Sequence, residues 1–153
     1  MLFRSGRSIQ DADSLVAGIR AKGGSADAIT ADLGNPEGAA LLAKKVRSMV
    51  GERLDVLVSN AGISKAATIK DYTVEAFDNL FATNVRGPYF LVQQLLPILG
   101  EGSNIIVTSS LGARFVVGTP DLNSASILAY TATKGALETL VKIGRASCRE
   151  RVC

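Results

Sequence analysis

The sequence predicts an α/β fold built on a parallel sheet, and three observations carry that prediction. Amphipathic segments with apolar residues at helical spacing alternate with short apolar runs of strand length. The last of these runs, Asn104-Ile105-Ile106-Val107-Thr108, is apolar almost without interruption, as strands covered on both faces are. Each run also ends in small or polar residues (Asp32, Asn60-Ala61-Gly62, Ser109-Ser110), at the strand end where open parallel sheets bind ligands.

The first helix is expected from Asp11 to Lys22, where Leu15, Val16 and Ile19 share a stripe and Gly23-Gly24 stops the chain. Ala28-Ile29-Thr30-Ala31 follows as a short strand. The second helix starts at Asn35-Pro36-Glu37: Asn35 can cap, Pro36 suits the first helical position, and Leu41, Leu42, Val46 and Val50 line one face. Leu54 to Ser59 reads as a strand ended by Asn60-Ala61-Gly62. Thr73 can cap a helix through Leu80, and Asn84 opens a longer one, Val85 to Leu99, carrying Phe90, Leu91, Leu95 and Leu96. After the Asn104 strand, small and polar residues from Leu111 to Leu128 read as a loop before a helix that carries Lys134. Crossovers should be right-handed, with no repeat and no second domain.

The chain has 153 residues, 47% hydrophobic and 20% charged, enough for one domain with a sizeable core. No apolar run reaches the ~18 residues of a membrane span, and the start lacks the charged and apolar regions of a secretory signal. A cytoplasmic location without membrane partners is therefore expected. Both ends stand apart. From Ile143 the apolar periodicity stops, and three arginines with both cysteines appear in Ile143 to Cys153. That string resembles a translated sequencing adapter, and Leu2-Phe3-Arg4-Ser5 resembles the opposing one. The native part is expected to be a truncated domain over residues 6–142, with 1–5 and 143–153 non-native. Without the ends the net charge of +3 falls to zero, so the basic balance gives no argument for nucleic acid. The native part then has no cysteine, and the chain has no histidine, so no metal site or His-based triad is expected.

Tyr130 and Lys134 stand four residues apart where a helix should begin, which sets phenol and ammonium on one face, one turn apart. An ammonium beside a phenol favours the phenolate, the adjustment a hydroxyl needs to exchange protons with an alcohol near neutral pH. Such a pair also occurs by chance on solvated helix faces. Its company gives it weight. Asp32 with Leu33, Asn60-Ala61-Gly62, Ser109-Ser110 and Asn84 all fall at strand ends or a helix start, in a fixed order.

Together these residues resemble the short-chain dehydrogenase/reductase family from Gly6 to Lys142. The resemblance implies a Rossmann-like, doubly wound parallel sheet and an NAD(P)-dependent oxidoreductase that moves hydride between nicotinamide and a carbonyl or secondary alcohol. It is similar to the oxoacyl-carrier-protein reductases. By the resemblance, Tyr130 is the general acid/base, Lys134 lowers its pKa and binds the nicotinamide ribose, and Asn84 anchors a water in a proton relay. A serine donates to the substrate oxygen. Gly112, three positions on, favours Ser109 over Ser110 for that role. Asp32 and Leu33 would meet the adenine, and Asn60, Ala61 and Gly62 would line the cofactor. Bland readings stand beside these: Asn84 as a helix cap, Asp32 as a turn residue, Gly62 as a strand terminator. A non-catalytic dinucleotide-binding regulator on the same fold is the rival, against which Asn84, Ser109, Tyr130 and Lys134 speak.

The chain also departs from the family. Ser109 and Tyr130 are 21 positions apart, a longer separation than usual, and Phe115, Val116, Val117 and Leu122 in the enlarged loop are candidate substrate contacts or loop packing. The Gly-rich unit that cradles pyrophosphate is expected to be missing upstream, with the strand after it and the C-terminal strands. A hole two strands wide should then interrupt the sheet, leaving the chain unstable or prone to aggregate. Arg7, in Gly6-Arg7-Ser8, falls about where a basic residue favours the extra phosphate of NADP(H) over NAD(H), though it equally fits a solvated loop. The parent enzyme is expected to be a homo-tetramer acting on a small molecule.

Overall fold

The computed structural model describes residues 2–5, 9–114 and 127–150, with side chains over 9–114 and 127–140. The order is β1 (Leu2–Ser5), α1 (Ile9–Ala21), β2 (Asp27–Thr30), α2 (Gly38–Val50), β3 (Val56–Ser59), α3 (Val74–Phe81), a π turn (Ala82–Arg86), α4 (Gly87–Leu95), a 3-10 turn (Leu96–Ile98), β4 (Asn104–Val107), a second 3-10 turn (Leu111–Ala113) and α5 (Leu128–Glu150). β1 pairs with β2 and β3 with β4, both in parallel, and the two pairs are not hydrogen-bonded to each other.

The α/β class and parallel pairing agree with the expectation; four details differ. The strand thought absent is present as β1, matched residue for residue from Leu2↔Asp27 to Ser5↔Thr30. Leu2-Phe3 is a strand-compatible start, and the β2 edge supplies its backbone partners. In the strand order 3-2-1-4-5-6 the pairs then correspond to 3-2 and 4-5, so the interruption is one strand wide, not two. Secondly, α5 continues past Ile143, where the apolar periodicity stops, and runs to Glu150. The stretch holds no proline, and its Ala, Arg and Glu are good helix formers. Thirdly, α2 begins at Gly38, after an Asn35-Pro36 turn in which Asn35 Oδ1 accepts from Glu37 N at 2.9 Å.

The fourth difference concerns Asn84. It does not open a helix. Helical structure is continuous from Val74 to Ile98, and Asn84 lies within the π turn. Thr73 caps this long element as expected, accepting from Ala76 N at 3.2 Å. The wide turn has a cause in the sequence. Pro88 has no N–H to return to the Asn84 carbonyl four residues back, and its ring would strike that carbonyl in regular α geometry. One added residue in the turn relieves the conflict, and Gly87 N bonds Ala82 O in the five-residue register.

One core joins the two strand pairs. Ile29 and Leu33 pack with Ala39, Leu42, Ala43 and Val46 of α2 and with Leu91 and Leu95 of α4, while Leu54, Leu57 and Ala61 close against the same cluster. The opposite face of β3–β4 differs from the sequence expectation of cover on both sides. Val56, Val58 and Ile106 share that face by register and are 49%, 57% and 52% exposed. No described element packs over them, although parallel strands of this composition are normally covered on both faces.

Candidate active site

Two elements meet at the site: the π turn with Asn84, and the first turns of α5 with Tyr130 and Lys134. The segment after β3 lies between them. Asn84 is fully buried, and its amide holds Ile63 at two points, Ile63 N donating to Oδ1 at 2.8 Å and Nδ2 donating to Ile63 O at 2.9 Å. The second amide proton goes to Thr133 Oγ1 at 3.1 Å, and that hydroxyl donates to Tyr130 O at 2.6 Å. Both protons of the Asn84 amide are thus taken up by protein groups.

Lys134 is 4% exposed and its Nζ donates to Thr108 O, at the end of β4, at 2.8 Å. Nζ stands 5.7 Å from the centroid of the Tyr130 ring. Burial lowers the Lys134 pKa from its ordinary value, because desolvation disfavours the ammonium. An ammonium has three protons, and Thr108 takes one; the others have no acceptor among the described residues. Gly62 marks the space these groups share. A methyl group added there would lie 3.4 Å from Asn84 Oδ1 and 3.7 Å from Lys134 Nζ. The absence of a side chain keeps that space open between them.

The serines diverge. Ser109 Oγ donates to Glu138 Oε1 at 2.8 Å, one turn past Lys134, and Arg114 Nε reaches both oxygens of the same carboxylate at 3.2 Å. Ser110 Oγ accepts from Gly112 N at 3.3 Å, which caps the second 3-10 turn and leaves the hydroxyl proton without an acceptor among the described residues. Thr133 and Glu138 were not singled out from the sequence. The available signal for Glu138 was its spacing, four positions after Lys134 and so on the same face toward the end of β4, whereas Thr133, one position before Lys134, faces the π turn instead.

The remaining sequence candidates are dispersed. Asp32 is exposed and its Oδ1 accepts from Gly34 N at 2.9 Å, forming a tight turn at the end of β2. Leu33 is 2% exposed within the core, so only its backbone can face a ligand there. Asn60 is exposed, and Ala61 packs against the core beside Gly62. Arg7, Phe115, Val116, Val117 and Leu122 lie outside the described residues. Among the described residues no group of three or more His, Cys, Asp or Glu could hold a metal ion, and no helix is long and apolar enough to cross a membrane.

The short chain dehydrogenase family model matches residues 2–151, and the chain belongs to that family. It is 38% identical over 145 residues to versicolorin reductase 1 of Aspergillus parasiticus, covering 94% of this chain and 52% of that protein. Among solved structures it resembles a short chain dehydrogenase from Burkholderia cenocepacia in complex with NADP, with a TM-score of 0.79, 36% identity, 89% of this chain and 53% of the other. A metagenomic short-chain oxidoreductase in complex with NADP gives a TM-score of 0.82 at 28% identity, over 97% of this chain and 65% of the other. The chain spans about half the length of the curated relative it matches.

Proposed function

We propose that the chain is part of an NAD(P)H-dependent oxidoreductase that interconverts a small carbonyl compound and its secondary alcohol. One observation carries the reading: the Lys134 ammonium is buried beside the Tyr130 ring, with donor capacity to spare, facing the space that Gly62 leaves open. A buried cation with unused protons fits a site that receives hydroxyl groups such as those of a ribose. The residues present therefore fit the nicotinamide-ribose end of a dinucleotide, with Lys134, Asn60 and Gly62 as its contacts and Asp32 at the adenine end. The cofactor when bound supplies or accepts hydride.

Tyr130 exchanges the proton with the substrate oxygen as general acid/base. Of the two serines, Ser110 is the better donor to that oxygen, because the Ser109 proton is already given to Glu138. Asn84 acts behind the site, holding Ile63 and, through it, the position of Gly62. NADP(H) is favoured over NAD(H) by the bound NADP in two of the similar structures and by Arg7 in the sequence. Residues 6–142 are the domain portion that carries this chemistry, and the complete enzyme is a homo-tetramer.

Tyr130→Phe in the complete enzyme tests the reading. Carbonyl reduction should fall by at least ~10³-fold with NADPH affinity nearly unchanged, as expected for loss of a group acting only on the reacting oxygen. Retained turnover would overturn it.

A further inference from the structure

Thr133 lies between Tyr130 and Lys134 in sequence and is completely buried. Its hydroxyl does two things at once: it accepts from Asn84 Nδ2 at 3.1 Å and donates to Tyr130 O at 2.6 Å. Among the described residues this hydrogen bond ties the Asn84 latch directly to the first turns of α5, and its partners are 49 positions apart. We infer that Thr133 is a positioning residue, which sets Tyr130 and Lys134 relative to the Asn84–Ile63 latch and so to the open space at Gly62. The inference rests on the proposed reading of the site.

The chemistry of the position is restrictive. One proton of the Asn84 amide goes to Ile63 O and the other to Thr133. Only a hydroxyl can accept that second proton and donate to a helix carbonyl through a single atom. Valine has the shape of threonine but neither capacity, so it would leave a buried amide proton unpaired. The amide can relieve this only by turning, which breaks one or both of its bonds to Ile63. The segment that carries Gly62 would then shift relative to Lys134. Serine keeps the hydroxyl and should keep the arrangement.

Thr133→Val and Thr133→Ser in the complete enzyme test this, with two readouts. Hydrogen exchange at the Ile63 amide, which Asn84 Oδ1 protects, should accelerate at least tenfold in the valine variant and remain near wild type in the serine variant. In turnover, the valine variant should lose at least tenfold in kcat and raise KM for NADPH at least threefold, and serine should bring both to within threefold of wild type. If the valine variant does not fold, Thr133→Ala, which loses the same hydroxyl without adding a buried methyl contact, takes its place with the same expectations. Unchanged Ile63 exchange together with unchanged kcat, or a serine variant as impaired as valine, overturns the inference. Faster Ile63 exchange in an enzyme that proves to reduce no carbonyl would uphold the structural link and reject the reading of the reaction instead.

Discussion

Glu138 receives the Ser109 hydroxyl at 2.8 Å while Arg114 braces the same carboxylate from the second 3-10 turn. The end of β4, the turn after it and the helix bearing Tyr130 and Lys134 are thereby tied at one carboxylate. Tyr130 lies eight positions before Glu138, roughly 12 Å along the helix axis, so the tie secures the far end of the site from the phenol.

From this tie the two serines should separate on mutation. Ser109→Ala is expected to cost about 1.5–3 kcal/mol of stability, the range of a hydrogen bond to a charged group, with kcat lowered less than about tenfold. Ser110→Ala should leave stability nearly unchanged and lower kcat by roughly 10²- to 10³-fold, as for removal of one donor to a developing oxyanion. Urea unfolding and steady-state kinetics on both variants check this, and a larger kcat loss at Ser109 reverses the assignment.

Gly62→Ala should separate ligand binding from folding. The added methyl would meet Asn84 Oδ1 and Lys134 Nζ at ordinary contact distances, so unfolding free energy should change by less than about 1 kcal/mol. NADPH affinity should fall at least ~10-fold, because the methyl occupies the space proposed for the nicotinamide ribose. A fluorescence titration with NADPH gives the answer; unchanged affinity would place the cofactor elsewhere.

Gly38→Ala should act in the opposite sense. Its new Cβ would lie 1.7 Å from the Asp32 carbonyl oxygen, a backbone atom that cannot step aside. The loss should be at least about 3 kcal/mol, seen as a collapse in soluble yield or in unfolding midpoint. Gly18→Ala is the control: nothing lies within 4 Å of its added Cβ in α1, so a gain of about 0.5–1 kcal/mol is expected.

The Lys134 ammonium should make stability depend on pH. Its pKa is lowered in the folded chain by desolvation, whereas the unfolded chain titrates near the ordinary 10.5. Between the two values the unfolded state binds more protons, so raising pH through that window stabilises the fold. Lys134→Met lacks the effect. Its stability advantage over wild type should therefore be largest below the folded pKa and shrink as pH approaches 10.5, measured by urea unfolding at steps from pH 7 upward. A constant difference across that range would show that the lysine carries no such cost.

Helices and strands were legible wherever apolar spacing set them, as at α1, β3 and the Thr73 cap, because those patterns are local. Tyr130, Lys134, Gly62 and Asn84 were legible as a set through their order. The rest depended on partners far along the chain. Nothing near Thr133 announces Asn84, and nothing near Ser109 announces Glu138, 29 positions on. Asn84 itself was misplaced because a polar residue between two apolar stretches reads as a helix start. The effect of Pro88 on the carbonyl four residues before it takes geometry to see. The apolar run of β4 suggested cover on both faces, but composition cannot say which neighbours are present.

The π turn also has a consequence for the long helix as a whole. One extra residue turns everything before it by about 100° relative to everything after it. The apolar stripe therefore changes direction partway along a single rod: α3 packs against α5, whereas α4 packs against α2. A helix without Pro88 and its wide turn would present one straight stripe and could serve only one of these neighbours. The helix that carries Tyr130 and the layer that closes the core thus share a single backbone as their common axle, phased by one proline.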